Sequence, residues 1–165
     1  MMDRNDWFKS AFGLAFCVLA LLPAGSVAAS DQDVLTITGP NELDRSFTME
    51  ELKQLPVSSF STSTIWTEGV NEFTGVSLDD LLESVDMSGH AINAVALNDY
   101  AVEIPAEDTS NPDPIVAYSM NGKNMSVRDK GPLWIIYPYD TKVEYQSETT
   151  YSRSIWQLRK IEILD

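Results

Sequence analysis

Apolar and polar positions alternate along much of the chain, and the places where the alternation breaks mark its elements. Val34–Thr38 alternates and stops at Gly39-Pro40, which predicts a strand closed by a turn. Thr48-Met49-Glu50-Glu51 has the spacing of a capping box, in which the Thr hydroxyl accepts from the amide of Glu51 and that carboxylate reaches back. Leu52 and Leu55 share one face of the short helix it opens, and Pro56 ends it. Ser77 and Asp80 repeat the device. Leu78, Leu81, Leu82 and Val85 then follow at helical spacing up to Gly89, so this stripe is read as core rather than as a cofactor box.

The remainder predicts strands. Ile92–Leu97 and Tyr100–Ile104 flank the polar pair Asn98-Asp99, and Ile115–Met120 and Lys123–Met125 flank Asn121-Gly122, a strong short hairpin signal. Leu133–Tyr137 is a continuous apolar run between prolines, as a buried central strand requires. Gln157–Leu164 reads as a strand closing the sheet, and Glu107–Pro114 as a polar loop. Ser58–Thr64 is dense in hydroxyls and reads as a strand with a solvent face, or as an edge lining a polar pocket. The expected class is strand-rich α+β, a mixed, barrel-like sheet with two short helices. With no repeat or linker inside it, 30–165 is expected to be one domain.

Residues 1–28 carry a different pattern. Arg4 and Lys9 precede the apolar run Ala11–Leu22, and small residues close at Ser26–Ala29. This fits a secretory signal peptide with Ala28 or Ala29 as the last residue removed, and the run is well short of the roughly 20 apolar residues a span needs. The expected product is periplasmic or secreted, with no stable membrane span after cleavage. Cleavage also removes Cys17, the one cysteine, so the mature chain has no thiol for a disulfide, a metal or a substrate.

Charge narrows the partners. The 165 residues hold 25 acidic against 11 basic side chains, a formal charge of −14. That balance disfavours nucleic acid and polybasic membrane contact. His90 is the sole histidine, and no Gly-x-Ser-x-Gly nucleophile motif accompanies it, so it is expected in a loop. One His and no mature Cys also leave no ordinary zinc or haem set. Asp108, Asn111 and Asp113 cluster, but Pro112 and Pro114 spoil a calcium loop. Tyr139, Tyr145 and Tyr151 either form an interface or cap the core.

Read in order, several stretches resemble the sulfite oxidase-like molybdopterin-binding domain in a small exported form. They are Leu35–Gly39, Thr48–Leu55, Phe73-Thr74-Gly75-Val76-Ser77-Leu78-Asp79-Asp80-Leu81-Leu82, Ala96–Tyr100 with Ile104-Pro105, Met120–Lys123, Asp129–Pro138 and Ser154–Ile161. The resemblance implies a compact α+β fold with a cleft for molybdopterin. In enzymatic members a Cys before the aromatic-Thr-Gly stretch holds the metal, whereas Ser58–Glu68 contains none. A hard hydroxyl is a poor substitute for that soft thiolate, although oxygen ligation by Thr62, Ser63 or Thr64 stays open. No metal ligand and no catalytic residue is therefore assigned. Ser63, Thr64, Trp66 and Glu68 are expected on the metal side of the cleft. Arg128 and Lys130, with Arg153 behind them, are expected on the phosphate side.

Two functions follow. One is an oxidoreductase-type protein using molybdopterin on a small-molecule substrate or an envelope redox partner. The other is a non-catalytic binding or sensor module using the same cleft for a small solute or a partner protein.

Overall fold

The computed structural model describes residues 32–164; the signal-peptide expectation lies outside them. The strands are β1 (Asp33–Gly39), β2 (Leu43–Thr48), β3 (Ser58–Ser63), β4 (Val70–Ser77), β5 (Ile92–Ala96), β6 (Ala101–Ile104), β7 (Ile115–Met120), β8 (Lys123–Asn124), β9 (Trp134–Ile136) and β10 (Leu158–Ile163). Four short helices interrupt them: α1 (Met49–Leu52), α2 (Leu78–Glu83), α3 (Ala106–Thr109) and α4 (Glu148–Arg153).

Both predicted caps form. The Thr48 hydroxyl accepts from the Glu51 amide at 3.2 Å while the Thr48 amide donates to the Glu51 carboxylate at 2.8 Å. The Ser77 hydroxyl accepts from the Asp80 amide at 3.0 Å, and Leu78, Leu81 and Leu82 of α2 are buried. Asn121 and Gly122 take φ of 52° and 72°, the left-handed pair that turns β7 tightly into β8.

The strands form two sheets. One runs β2-β1-β10-β5-β6, antiparallel except for β1 beside β10. The other runs β3-β4-β7, with β8 and β9 each pairing β7. One apolar cluster collects side chains from both, among them Ile37 and Ile161 of the first and Phe73, Val116 and Trp134 of the second. The class is the expected strand-rich α+β, but the barrel does not close. The first sheet keeps β2 and β6 as edges, and β3 edges the second.

β2, β4 and α4 were not foreseen as elements. Leu43–Thr48 shows only Phe47 fully buried, too little alternation to announce a strand. In α4, Glu148-Thr-Thr-Tyr-Ser-Arg consists largely of weak helix formers, yet the Ser147 hydroxyl accepts from the Thr150 amide at 3.3 Å and caps it. α3 forms within the expected loop. There, the carboxylates that suggested calcium have protein partners: Asp108 meets Tyr137 and Arg153, and Asp113 meets Lys142 and Tyr145.

The Thr-Gly step of the resembling motif has a packing cause. β4 shifts register against β7 between Thr74 and Gly75, and a Cβ on Gly75 would lie 2.1 Å from the Val116 carbonyl oxygen. Because the obstacle is backbone of the neighbouring strand, no side-chain motion relieves it. Gly75→Ala is expected to destabilise the fold by about 1–3 kcal/mol, read as a lower denaturant midpoint.

Candidate functional site

Short connections between the sheets build the site. β10 pairs antiparallel with β5, setting Leu158 opposite Ala96. The residues just before β10 are stitched to β9: the Ile135 amide donates to the Ile155 carbonyl, the Leu158 amide to the Leu133 carbonyl, and Trp134 bridges Trp156. The buried Trp134 indole N–H donates to the Ser154 carbonyl at 3.1 Å. Segment 154–158 is thus a seam between the sheets, and a pocket of about 410 Å³ opens beside it.

Trp66, from the loop after β3, forms one wall; Ala96, Asn98 and Tyr100 of the β5–β6 hairpin form another. Tyr151 and Ser152 of α4 and Ser154, Ile155 and Trp156 beyond it complete the lining. Trp66 meets Trp156 and Tyr151 edge-on, with centroids 5.7 Å apart in each case and ring planes at 73° and 82°. Beneath it Trp66 meets Trp134 at 5.8 Å, which in turn meets Phe73 at 5.6 Å. Asn71, nine-tenths buried, sets the Trp66 loop. Its amide donates to the Thr67 hydroxyl and the Glu68 carbonyl, at 3.2 and 3.1 Å, and its oxygen accepts from Asn121 at 2.8 Å.

Tyr151 also walls a second pocket, of about 310 Å³, with Ser63, Thr64, Tyr139 and Asp140. Here the Asp140 carboxylate receives the Ser63 hydroxyl and the Ser63 amide, each at 2.6 Å. The Ser63 hydroxyl and then its amide hold the Asp140 carboxyl below the ordinary aspartate range.

The expected site residues therefore divide. Trp66 reaches the larger pocket and Ser63 and Thr64 the smaller, while Glu68 is exposed and lines neither. Arg128 is exposed on a turn and also lines neither. Lys130 lies over Trp134, its Nζ 5.6 Å from the ring centroid. Arg153 turns away into an ion pair with Asp108 at 3.0 Å, and the same carboxylate oxygen accepts from Tyr137. Arg153 is thus committed to a carboxylate, whereas among the described residues no carboxylate pairs with Arg128 or Lys130. The partner is tertiary: Arg153, the last residue of α4, finds Asp108 of α3. Tyr139 is core, which settles one of the three tyrosines left open. His90 lies in an exposed loop, as expected.

Asp140, Arg159, Asn71 and α4 were missed. Arg159 donates to the Ala96 carbonyl at 3.0 Å and pairs with Asp99 at the rim. Only the Ser147-x-x-Thr150 cap signal was available in advance to place α4.

The family model for the oxidoreductase molybdopterin binding domain matches residues 24–143, and the chain belongs to that family. The matched stretch ends before α4, which supplies part of the pocket wall. Among solved structures the chain is similar to the sulfane dehydrogenase SoxCD from Paracoccus pantotrophus, with a TM-score of 0.61 and 21% identity. The likeness covers 86% of this chain and 40% of that one, so the chain spans about two fifths of its length. No curated protein matches.

The residues present do not fit a metal-bearing molybdopterin. The three hydroxyls considered as oxygen ligands already have partners within the protein. Thr62, fully buried, donates to the Ser63 carbonyl and accepts from the Asp140 amide; Ser63 donates to Asp140; and Thr64 pairs with Thr67 and accepts from the Trp66 amide. No Lys or Arg lines the larger pocket, and the Ser63 donors that could meet an anion are taken by a carboxylate. Among the described residues no group of three or more His, Cys, Asp or Glu is placed to hold a metal.

Two measurements check these assignments. Arg153→Ala leaves Asp108 without its cation and is expected to cost about 1–3 kcal/mol of stability, whereas Arg128→Ala should stay within about 0.5 kcal/mol. Asp140 should titrate below the ordinary aspartate range by NMR, and Ser63→Ala should move its midpoint upward. Because the folded value is the lower one, the associated stability is present above the unfolded value and lost as pH falls through the folded one.

Proposed function

We infer that the chain is an exported, non-catalytic binding module of the molybdopterin-binding domain family, whose cleft takes a small solute in an uncharged aromatic pocket. The observation that supports this reading is the engagement of Thr62, Ser63 and Thr64, the hydroxyls that could replace the thiolate, in hydrogen bonds within the protein. The pocket itself has the size and mainly apolar wall of a small-molecule site. Export rests on the basic start, apolar run and small residues of Met1–Ala29, and assigns the protein to the periplasm or the outside medium.

Family membership favours a second reading, an oxidoreductase-type protein that retains molybdopterin. Purification from an envelope fraction of a cofactor-making host separates the two. Acid and iodine oxidation of the folded protein is expected to release no stoichiometric fluorescent pterin. One pterin per chain would overturn the binding-module reading.

A further inference from the structure

Given a binding module, the chemistry of the larger pocket selects among solutes. An anion finds no Lys or Arg among the lining residues, and the helix end it meets is the C-terminal one of α4, in a chain of formal charge −14. A sugar would need several polar groups aimed into the pocket, but the two lining serine hydroxyls are turned inward. Ser154 accepts from Tyr139 and donates to the Thr150 carbonyl, Ser152 donates to the Thr149 carbonyl, and the Asn98 oxygen accepts from the Tyr100 amide. What remains is aromatic surface. Trp66, Trp156 and Tyr151 meet at near right angles, and Tyr100 stands half exposed at the edge.

Aromatic walls with no charged side chain among them attract a cation through the negative faces of their rings. The same cluster already does so internally, since the Lys130 ammonium lies over Trp134. Arg159, which reaches the rim through its bond to Ala96, is paired with Asp99. Across Tyr151 the smaller pocket holds Asp140, which has no ion-pair partner among the described residues. The long-range field of an acidic chain works in the same direction by raising the local concentration of cations.

We propose that the Trp66–Tyr151–Trp156 pocket binds a small organic cation, a quaternary ammonium carried on a short apolar body. The inference rests on the binding-module reading and deepens it by naming the ligand class.

The test uses the full folded protein and two probes of nearly equal shape, choline and its uncharged isostere 3,3-dimethylbutan-1-ol, followed by calorimetry and tryptophan fluorescence. Choline is expected to bind about tenfold tighter than the alcohol, or more. Trp156→Ala should abolish that preference, and Tyr100→Ala, a change at an exposed rim residue, should reduce it severalfold without altering the fold. Equal binding of the two probes would overturn the cation inference while leaving a solute-binding module intact. Binding of neither probe by folded protein would also overturn it. Released pterin, measured separately, bears only on the underlying reading, so the two failures are distinguishable.

Discussion

The structure depends on Trp134. Its ring is wholly buried, its indole N–H is satisfied by the Ser154 carbonyl, and its faces and edges meet Phe73, Trp66 and Trp156. Through that one side chain the second sheet is joined to the seam that leads into the centre of the first. A large aromatic with its single polar group satisfied is among the strongest fixed points a core can have. The pocket is the surface expression of this core: Trp66 and Trp156, both packed on Trp134, emerge as its walls.

The polar parts of the site follow a different logic. Around the end of β3 the polar groups bond one another, in a clasp of Thr62, Ser63 and Asp140 that joins β3 to the loop after β9. A hydroxyl already donating and accepting gains little from a metal and would lose its present partners. The surrounding groups form a closed network, and the remaining free surface is aromatic.

Legibility differed between fold and site. The caps at Thr48 and Ser77, the Asn121-Gly122 turn and the buried run Leu133–Tyr137 appear as expected, because each depends on residues within a few positions of one another. Two of the stretches that carried the family resemblance also converge: Ala96–Tyr100 and Ser154–Trp156 wall one pocket together with Trp66. The orientations of Arg153 and Lys130 were not legible, because they depend on distant partners, Asp108 for Arg153 and the Trp134 ring for Lys130.

The amino-acid order alone determined the acidic balance, the absence of Cys from Ser58–Glu68, the local caps and turns, and the family. These are properties of composition and short-range spacing, where backbone geometry leaves few alternatives. Tertiary structure alone decided that Ser63 meets Asp140, 77 positions away, and that the β10–β5 pairing brings Trp156 to Ala96. It also decided that the sheets stay open. Such outcomes depend on long-range strand pairing and on which polar group reaches a partner first, and no local pattern encodes either.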